Sequence, residues 1–184
     1  MEEVTTLAGG CFWCTQAIFK RLKGVIEVTS GYAGGNPPAG GEKPNYGSVS
    51  SGQTEYAESI QIRFDPKVVS FEKILQVFWH LVDPTTLNQQ GADVGTQYRS
   101  IIFYHNEHQK KVAEQSKQKV EQEKLYKDPI VTKIEPFKSF YKAEGYHQNY
   151  FERNSYQPYC QLVINPKIEK LIKEFGQDVK ENNK

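Results

Sequence analysis

In Tyr56-Ala57-Glu58-Ser59-Ile60-Gln61-Ile62-Arg63-Phe64 every second side chain falls on the same face. Glu58, Ile60, Ile62 and Phe64 share one side, and Ser59, Gln61 and Arg63 share the other, which predicts a strand with one buried face. Asp65-Pro66 ends it, and Ser70 is placed to cap the helix that follows. That helix carries Phe71, Ile74, Leu75, Phe78 and Val82 on one stripe and stops near Asp83-Pro84. Upstream, Val4 to Ala8 reads as a strand broken by Gly9-Gly10, residues 12 to 23 as a helix, and Val25 to Tyr32 as a second strand. Downstream, Ser100 to Tyr104 reads as a fourth strand and Asn106 to about Tyr126 as a charged helix with a solvated face. Ile130 to Ile134 reads as a further strand, and Pro166 opens a last helix with Ile168, Leu171, Ile172 and Phe175 on one side. The order strand, helix, strand, strand, helix, strand predicts an α+β fold. Its expected form is a ferredoxin-like split βαβ core of two layers, with long loops and C-terminal additions.

The 184 residues suit one domain spanning 1–184, with 23 basic and 22 acidic side chains. A net charge of +1 argues against a nucleic-acid binder, which needs a basic excess to neutralise phosphates. No apolar run is long enough to span a bilayer. Met1-Glu2-Glu3-Val4 lacks a basic and apolar leader, so the expected address is cytoplasmic. The stretch Gly31 to Gly52 holds seven of the fourteen glycines and three of the nine prolines, and reads as a long loop, either a wall around a site or a surface excursion.

Sulfur carries the chemistry. Three cysteines make an odd count for a disulfide framework, and two of them lie in Gly9-Gly10-Cys11-Phe12-Trp13-Cys14. Cys11 follows a strand and two glycines and opens a helix, where unpaired N–H groups and the positive dipole end favour a thiolate. The expectation is a lowered pKa and a good nucleophile, with Phe12 and Trp13 forming a small apolar pocket; the plainer alternative is two core anchors beside a buried thiol. The Cys11-x-x-Cys14 spacing fits a thiol–disulfide couple, half of a zinc site or chance. Zinc would need two further ligands from Cys160 and the histidines, and no second Cys-x-x-Cys occurs. His80 and His147 read as core or supporting residues. Glu58 stands at the apolar end of a buried face. It is either a desolvated general acid or a strand-end carboxylate turned to water.

Several motifs follow one another along nearly the whole chain: Gly10-Cys11-Phe12-Trp13, Gly31-Tyr32-Ala33-Gly34-Gly35, Tyr56-Ala57-Glu58, Gln76-Val77-Phe78-Trp79, Asp83-Pro84, Gly95-Thr96-Gln97-Tyr98-Arg99-Ser100 and Tyr146-His147-Gln148. This ordered series resembles the peptide methionine sulfoxide reductases of the A type. The resemblance implies that Cys11 attacks the sulfoxide sulfur, that Phe12 and Trp13 hold the substrate methyl, and that Glu58 protonates the oxygen. Tyr46 and Tyr98 would bond that oxygen, with Asp93 beside the site. It further implies selectivity for the S epimer, a sulfenic acid on Cys11, and a disulfide reopened by thioredoxin or an equivalent thiol. Oxidised proteins and free methionine sulfoxide would be the substrates of a monomer needing no cofactor, metal, nucleic acid or membrane.

Two departures stand out. Cys14 occupies a position that is often glycine in the family. The loop from Gly35 to Tyr46 is also longer than usual, ending in Lys43-Pro44-Asn45-Tyr46. The resolving thiol implied by the resemblance is Cys160, in a C-terminal segment from about residue 153 and in a loop expected to swing, with Cys14 the alternative. Two other classes compete: a disulfide oxidoreductase acting through Cys11 and Cys14, which would not need Glu58, and a zinc-stabilised binding module.

Overall fold

The computed structural model describes residues 1–36 and 42–181. The strand predicted around Glu58 is Ala57–Phe64 (β3), and it lies centrally in a six-stranded sheet. Glu3–Ala8 (β1) pairs antiparallel on one side of it, with Leu7 opposite Ile60. Val25–Ala33 (β2) pairs antiparallel on the other, with Tyr32 opposite Glu58 and a bulge between Val25 and Glu27. β1 and β2 are therefore parallel to each other with β3 inserted between them. Phe12–Lys20 (α1) connects them. Phe71–Leu81 (α3) carries the chain from β3 towards Ile101–Tyr104 (β6), which joins the outer side of β1. A short helix, Tyr46–Ser50 (α2), lies in the glycine-rich segment, and Glu107–Gln122 (α4) follows β6.

The sheet is extended at both edges by one late segment. Lys133–Pro136 (β7) runs parallel to β6, and Phe140–Lys142 (β8) pairs antiparallel with β2. The full order is β7-β6-β1-β3-β2-β8. A separate hairpin of Gln89–Gln90 (β4) and Asp93–Val94 (β5) lies between α3 and β6. Tyr150–Asn154 (α5) and Asn165–Phe175 (α6) close the chain.

The two faces of the sheet divide as the alternation requires. Ile60, Ile62 and Phe64 are fully buried beside Ile18 and Phe19 of α1 and Ile74, Leu75 and Phe78 of α3. Each such side chain contributes about 1.5–3 kcal/mol through removal from water. The opposite face holds a smaller cluster of Ala8, Ala33, Ala57, Ile101 and Phe103, backed by Phe137 and Phe140. Ser70 caps α3 by accepting the Lys73 N–H at 3.2 Å, as its position in the sequence predicts. Asn45 and Asn106 cap α2 and α4 in the same way.

Several expectations shift. The strand expected over 130–134 begins only at Lys133, because the Val131 N–H is taken by the Pro84 carbonyl at 2.8 Å and cannot enter the ladder. The first helix ends at Lys20 rather than near residue 23, since the chain must turn through Gly24 at φ +79° into β2. The glycine-rich stretch is not wholly irregular: it begins in β2 and contains α2, while residues 37–41 lie outside those described. Among the described residues, no helix is long and apolar enough to cross a membrane.

Candidate active site

β1 delivers Cys11 to the mouth of α1. Gly10 makes the turn at φ +83°, and a Cβ there would lie 2.6 Å from Gln90 Cβ, so only glycine brings the chain in against the β4 segment. Cys11 is the residue before α1, and its carbonyl accepts the N–H groups of Cys14 and Thr15 at 3.1 and 3.3 Å. The next N–H, that of Phe12, donates to Glu58 Oε2 at 3.0 Å. A carboxyl at the middle of the sheet thus meets the helix start that bears the thiol.

Glu58 is 3% exposed. Burial pushes its pKa up to about 8; the Phe12 N–H works against this, and the charges of Asp93 and Cys14 add to it. Of the two readings of Glu58, the buried one holds. It is a carboxyl that stays protonated at neutral pH, able to donate to an oxygen placed beside it.

The thiols depart from expectation. Cys11 is buried, and burial pushes its pKa well above the ordinary value, with Cys14 and the nearby Glu58 raising it further. The expected lowering by the helix start is outweighed, because desolvation penalises a thiolate with no cation against it. Cys14 is the partner that falls, to about 7, through its interaction with Cys11 and despite its own burial, with Lys167 assisting. Cys160 is fully buried and its pKa is raised by burial. It does not lie in a loop free to swing. It opens a π-helical turn, Cys160–Ile164, that runs directly into α6. This wide turn packs Cys160, Ile164 and Ile168 in one cluster with Cys11, Cys14 and Ala17, and Tyr159 bonds the segment inward. All three cysteines are free thiols.

Around the sulfurs stands an aromatic wall. Trp13 stacks on Tyr150 with ring centroids 3.7 Å apart and planes 6° from parallel. Its indole N–H donates to His147 Nδ1 at 3.0 Å. Phe12 is buried between Tyr32, at 5.8 Å, and His147, at 5.0 Å. Tyr46 opens α2 with its ring 4.5 Å from His147, and Tyr98 ends the single turn Thr96–Tyr98. Burial pushes both phenols up, followed by the charges of Glu58 and Cys11, so both hydroxyls remain protonated and able to donate. Asp93, on β5, accepts from the Tyr159 hydroxyl at 2.7 Å, and that hydroxyl lies 3.7 Å from Cys14 Sγ.

The residues singled out from the sequence are therefore brought to one place: Cys11, Phe12, Trp13, Cys14, Tyr46, Glu58, Asp93, Tyr98 and Cys160. Tyr159, Tyr150 and the hydrogen bond of His147 to Trp13 were not foreseen. Each makes its contact across 60 residues or more of chain, which no local pattern signals. His80 is not a core residue; it sits at the surface end of α3 against Phe175. Among the described residues no group of three or more His, Cys, Asp or Glu is arranged to hold a metal ion.

Comparison with known proteins agrees with this arrangement. The sequence profile described as "Peptide methionine sulfoxide reductase" matches residues 3–180. The peptide methionine sulfoxide reductase MsrA of Saccharolobus solfataricus is 51% identical over 178 residues, covering 97% of each chain. The crystal structure of Mxr1 from Saccharomyces cerevisiae in reduced form superposes with a TM-score of 0.78 at 36% identity, over 86% of this chain and 89% of that one. Mxr1 in complex with Trx2 matches with a TM-score of 0.54 at 26% identity, over 81% and 84% of the two chains. A mixed sheet with helices, a cysteine at the first turn of α1 and a buried acid beneath it are thus set in a chain that belongs to the A-type peptide methionine sulfoxide reductases, oxidoreductases acting on methionine sulfoxide.

Proposed function

We propose that the protein reduces methionine-S-sulfoxide, free and within proteins, through Cys11, with Glu58 as the acid. The observation that carries this is the Glu58 carboxyl, buried and protonated at neutral pH, bonded to the N–H next to the Cys11 nucleophile. A sulfoxide oxygen leaves poorly as an anion, so attack by sulfur requires a neutral acid at that oxygen.

The steps follow from the groups present. Phe12 and Trp13 enclose the substrate methyl, and the Tyr46 and Tyr98 hydroxyls bond the oxygen, with Asp93 bordering the site. Cys11 sulfur bonds to the sulfoxide sulfur as its proton passes to the Cys14 thiolate. Glu58 gives its proton to the oxygen. The hydroxyl then passes from the substrate sulfur to the Cys11 sulfur as the transient S–S bond breaks, methionine leaves, and Cys11 remains as sulfenic acid. Glu58 is left as carboxylate and Cys14 as thiol. The Cys160 thiol next attacks the Cys11 sulfur, water departs, and a Cys11–Cys160 disulfide results.

Cys160 shares the buried cluster of Cys11 and Cys14, and the family resemblance is what favours it as the resolving thiol. Cys14 keeps a second reading as the resolving thiol, since it lies one helical turn from Cys11 and ionises at about pH 7. Thioredoxin or an equivalent dithiol closes the cycle by exchange, a reading supported by the Mxr1–Trx2 complex. We further read the chain as one catalytic domain acting as a cytoplasmic monomer without cofactor. Its inner strands β6-β1-β3-β2 we read as a ferredoxin-like split βαβ, supported by their order and by β3 lying between parallel β1 and β2.

Turnover of both sulfoxide epimers with dithiothreitol and with thioredoxin tests this. Activity on the S epimer under both reductants is expected. Cys160→Ser should keep dithiothreitol-supported turnover and lose the thioredoxin-supported rate. Thioredoxin turnover that survives Cys160→Ser but not Cys14→Ser would move the resolving role to Cys14. No S-epimer activity with either reductant would overturn the whole assignment.

A further inference from the structure

Tyr46 stands where the chain re-enters the body of the protein after the glycine-rich stretch. As the first residue of α2 it has an N–H with no acceptor inside its own helix. Glu144 supplies one: its Oε1 accepts the Tyr46 N–H at 2.8 Å. The other oxygen, Oε2, accepts the Tyr32 hydroxyl at 2.8 Å. Tyr32 is fully buried on β2 and packs against Phe12 at 5.8 Å. One carboxylate therefore joins the backbone beneath Tyr46 to the ring that backs Phe12.

The side chain is itself firmly placed. Glu144 lies two residues beyond β8, and its carbonyl accepts the His147 N–H at 3.0 Å, starting the turn that sets His147 against the Tyr46 ring. Burial alone would raise its pKa, but the bonds from Tyr46, its own backbone and Tyr32 outweigh burial and hold it below the ordinary value. It is therefore ionised at neutral pH. The far end of α2 is tied separately, through Gln97 Nε2 to the Ser50 carbonyl at 3.4 Å. Glu144 meets two neutral donors of the site rather than a cation.

We propose that Glu144 is a positioning residue for the reaction, anchored by the Tyr32 hydroxyl and holding Tyr46 at the height where its hydroxyl meets the sulfoxide oxygen. The proposal rests on the reading of Tyr46 as an oxygen-binding residue. Glu144 touches no substrate; it acts through Tyr46. An acceptor that merely stabilised the fold would act independently of the Tyr46 hydroxyl, and the two roles separate in a double-mutant cycle.

The test compares Glu144→Ala, Glu144→Gln, Tyr46→Phe and the pair Glu144→Ala with Tyr46→Phe, measuring kcat and KM on methionine-S-sulfoxide with dithiothreitol, with a thermal melt of each. Glu144→Ala should lower kcat/KM about tenfold in the wild-type background, as expected for loss of a charge-assisted hydrogen bond, and by less than about twofold once the Tyr46 hydroxyl is gone. Glu144→Gln should recover most of the activity, because its amide oxygen still accepts the Tyr46 N–H. The same tenfold loss in both backgrounds, or wild-type kcat/KM in Glu144→Ala, would overturn the positioning role while leaving Tyr46 in place. Full activity in Tyr46→Phe would instead remove Tyr46 from oxygen binding, and Glu144 with it.

Discussion

In the reaction we propose, Glu58 supplies the proton on which the chemistry turns. Its folded-state pKa of about 8 lies above the ordinary carboxyl value of 4.5. The folded protein thus keeps a proton that the unfolded chain releases over that interval. The resulting stability is complete below the lower value and is lost as pH rises through the higher one. Glu58→Gln removes this loss. The variant should melt above the wild type at about pH 9, and the gap should close near about pH 5. Catalysis should move the other way. Single-turnover methionine release by the wild type should fall as pH rises through about 8, while Glu58→Gln should lack that limb and run at least about 100-fold slower. A Glu58→Gln protein with the wild-type pH profile would remove the acid role.

The sulfurs make a second claim at this scale. The Cys14 thiol ionises at about pH 7 and Cys11 well above the ordinary value. Ultraviolet thiolate absorbance should therefore rise first near neutral pH, and Cys14→Ser should abolish that early step. A step that survives Cys14→Ser and vanishes in Cys11→Ser would reverse the proton arrangement. The sequence marks both thiols by their spacing but not which one ionises. The helix start argues for Cys11, and only its 9% exposure shows that desolvation overrides the dipole. Glu58 was legible as one of two alternatives, and its register with Ile60 and Ile62 is what buries it. Tyr159, Tyr150 and Glu144 were not legible, because their partners lie on distant elements.

Among the elements, those with a period long enough to read were found near their expected places. β3 and α3 follow from the alternation over Glu58 to Phe64 and the stripe over Phe71 to Val82. β8 was missed because three residues give no period, and the β4–β5 hairpin because its strands are shorter still. The sequence mark for β8 lies on its partner strand. A Cβ at Gly31 would come within 2.4 Å of the Tyr141 carbonyl oxygen and of the Phe140 ring, so glycine is what lets β8 close on β2. Gly31→Ala should part the two strands, cost about 1–3 kcal/mol, and speed amide exchange at Phe140–Lys142. Unchanged exchange there would mean the edge tolerates the methyl group. The Cys160 segment was misread because a cysteine between prolines and polar residues looks like loop. Its burial comes from Ile164 and Ile168, which seat the π turn against α1.

Across the whole molecule, one six-stranded sheet with helices on it gathers a thiol from the residue before α1, an acid from the central strand, phenols from the start of α2 and the turn Thr96–Tyr98, and a further thiol from the π turn leading into α6. In the steps we propose, the departure at Cys14 has a use, as the base beside a buried nucleophile. The central claim is that Cys11 takes the oxygen from methionine-S-sulfoxide before any external reductant takes part. Methionine released by the fully reduced protein, mixed with each epimer and no reductant, tests it most directly. The S epimer should yield about one methionine per protein in a burst that Cys11→Ser abolishes, with little from the R epimer. No burst from the S epimer, or a burst that survives Cys11→Ser, would contradict it.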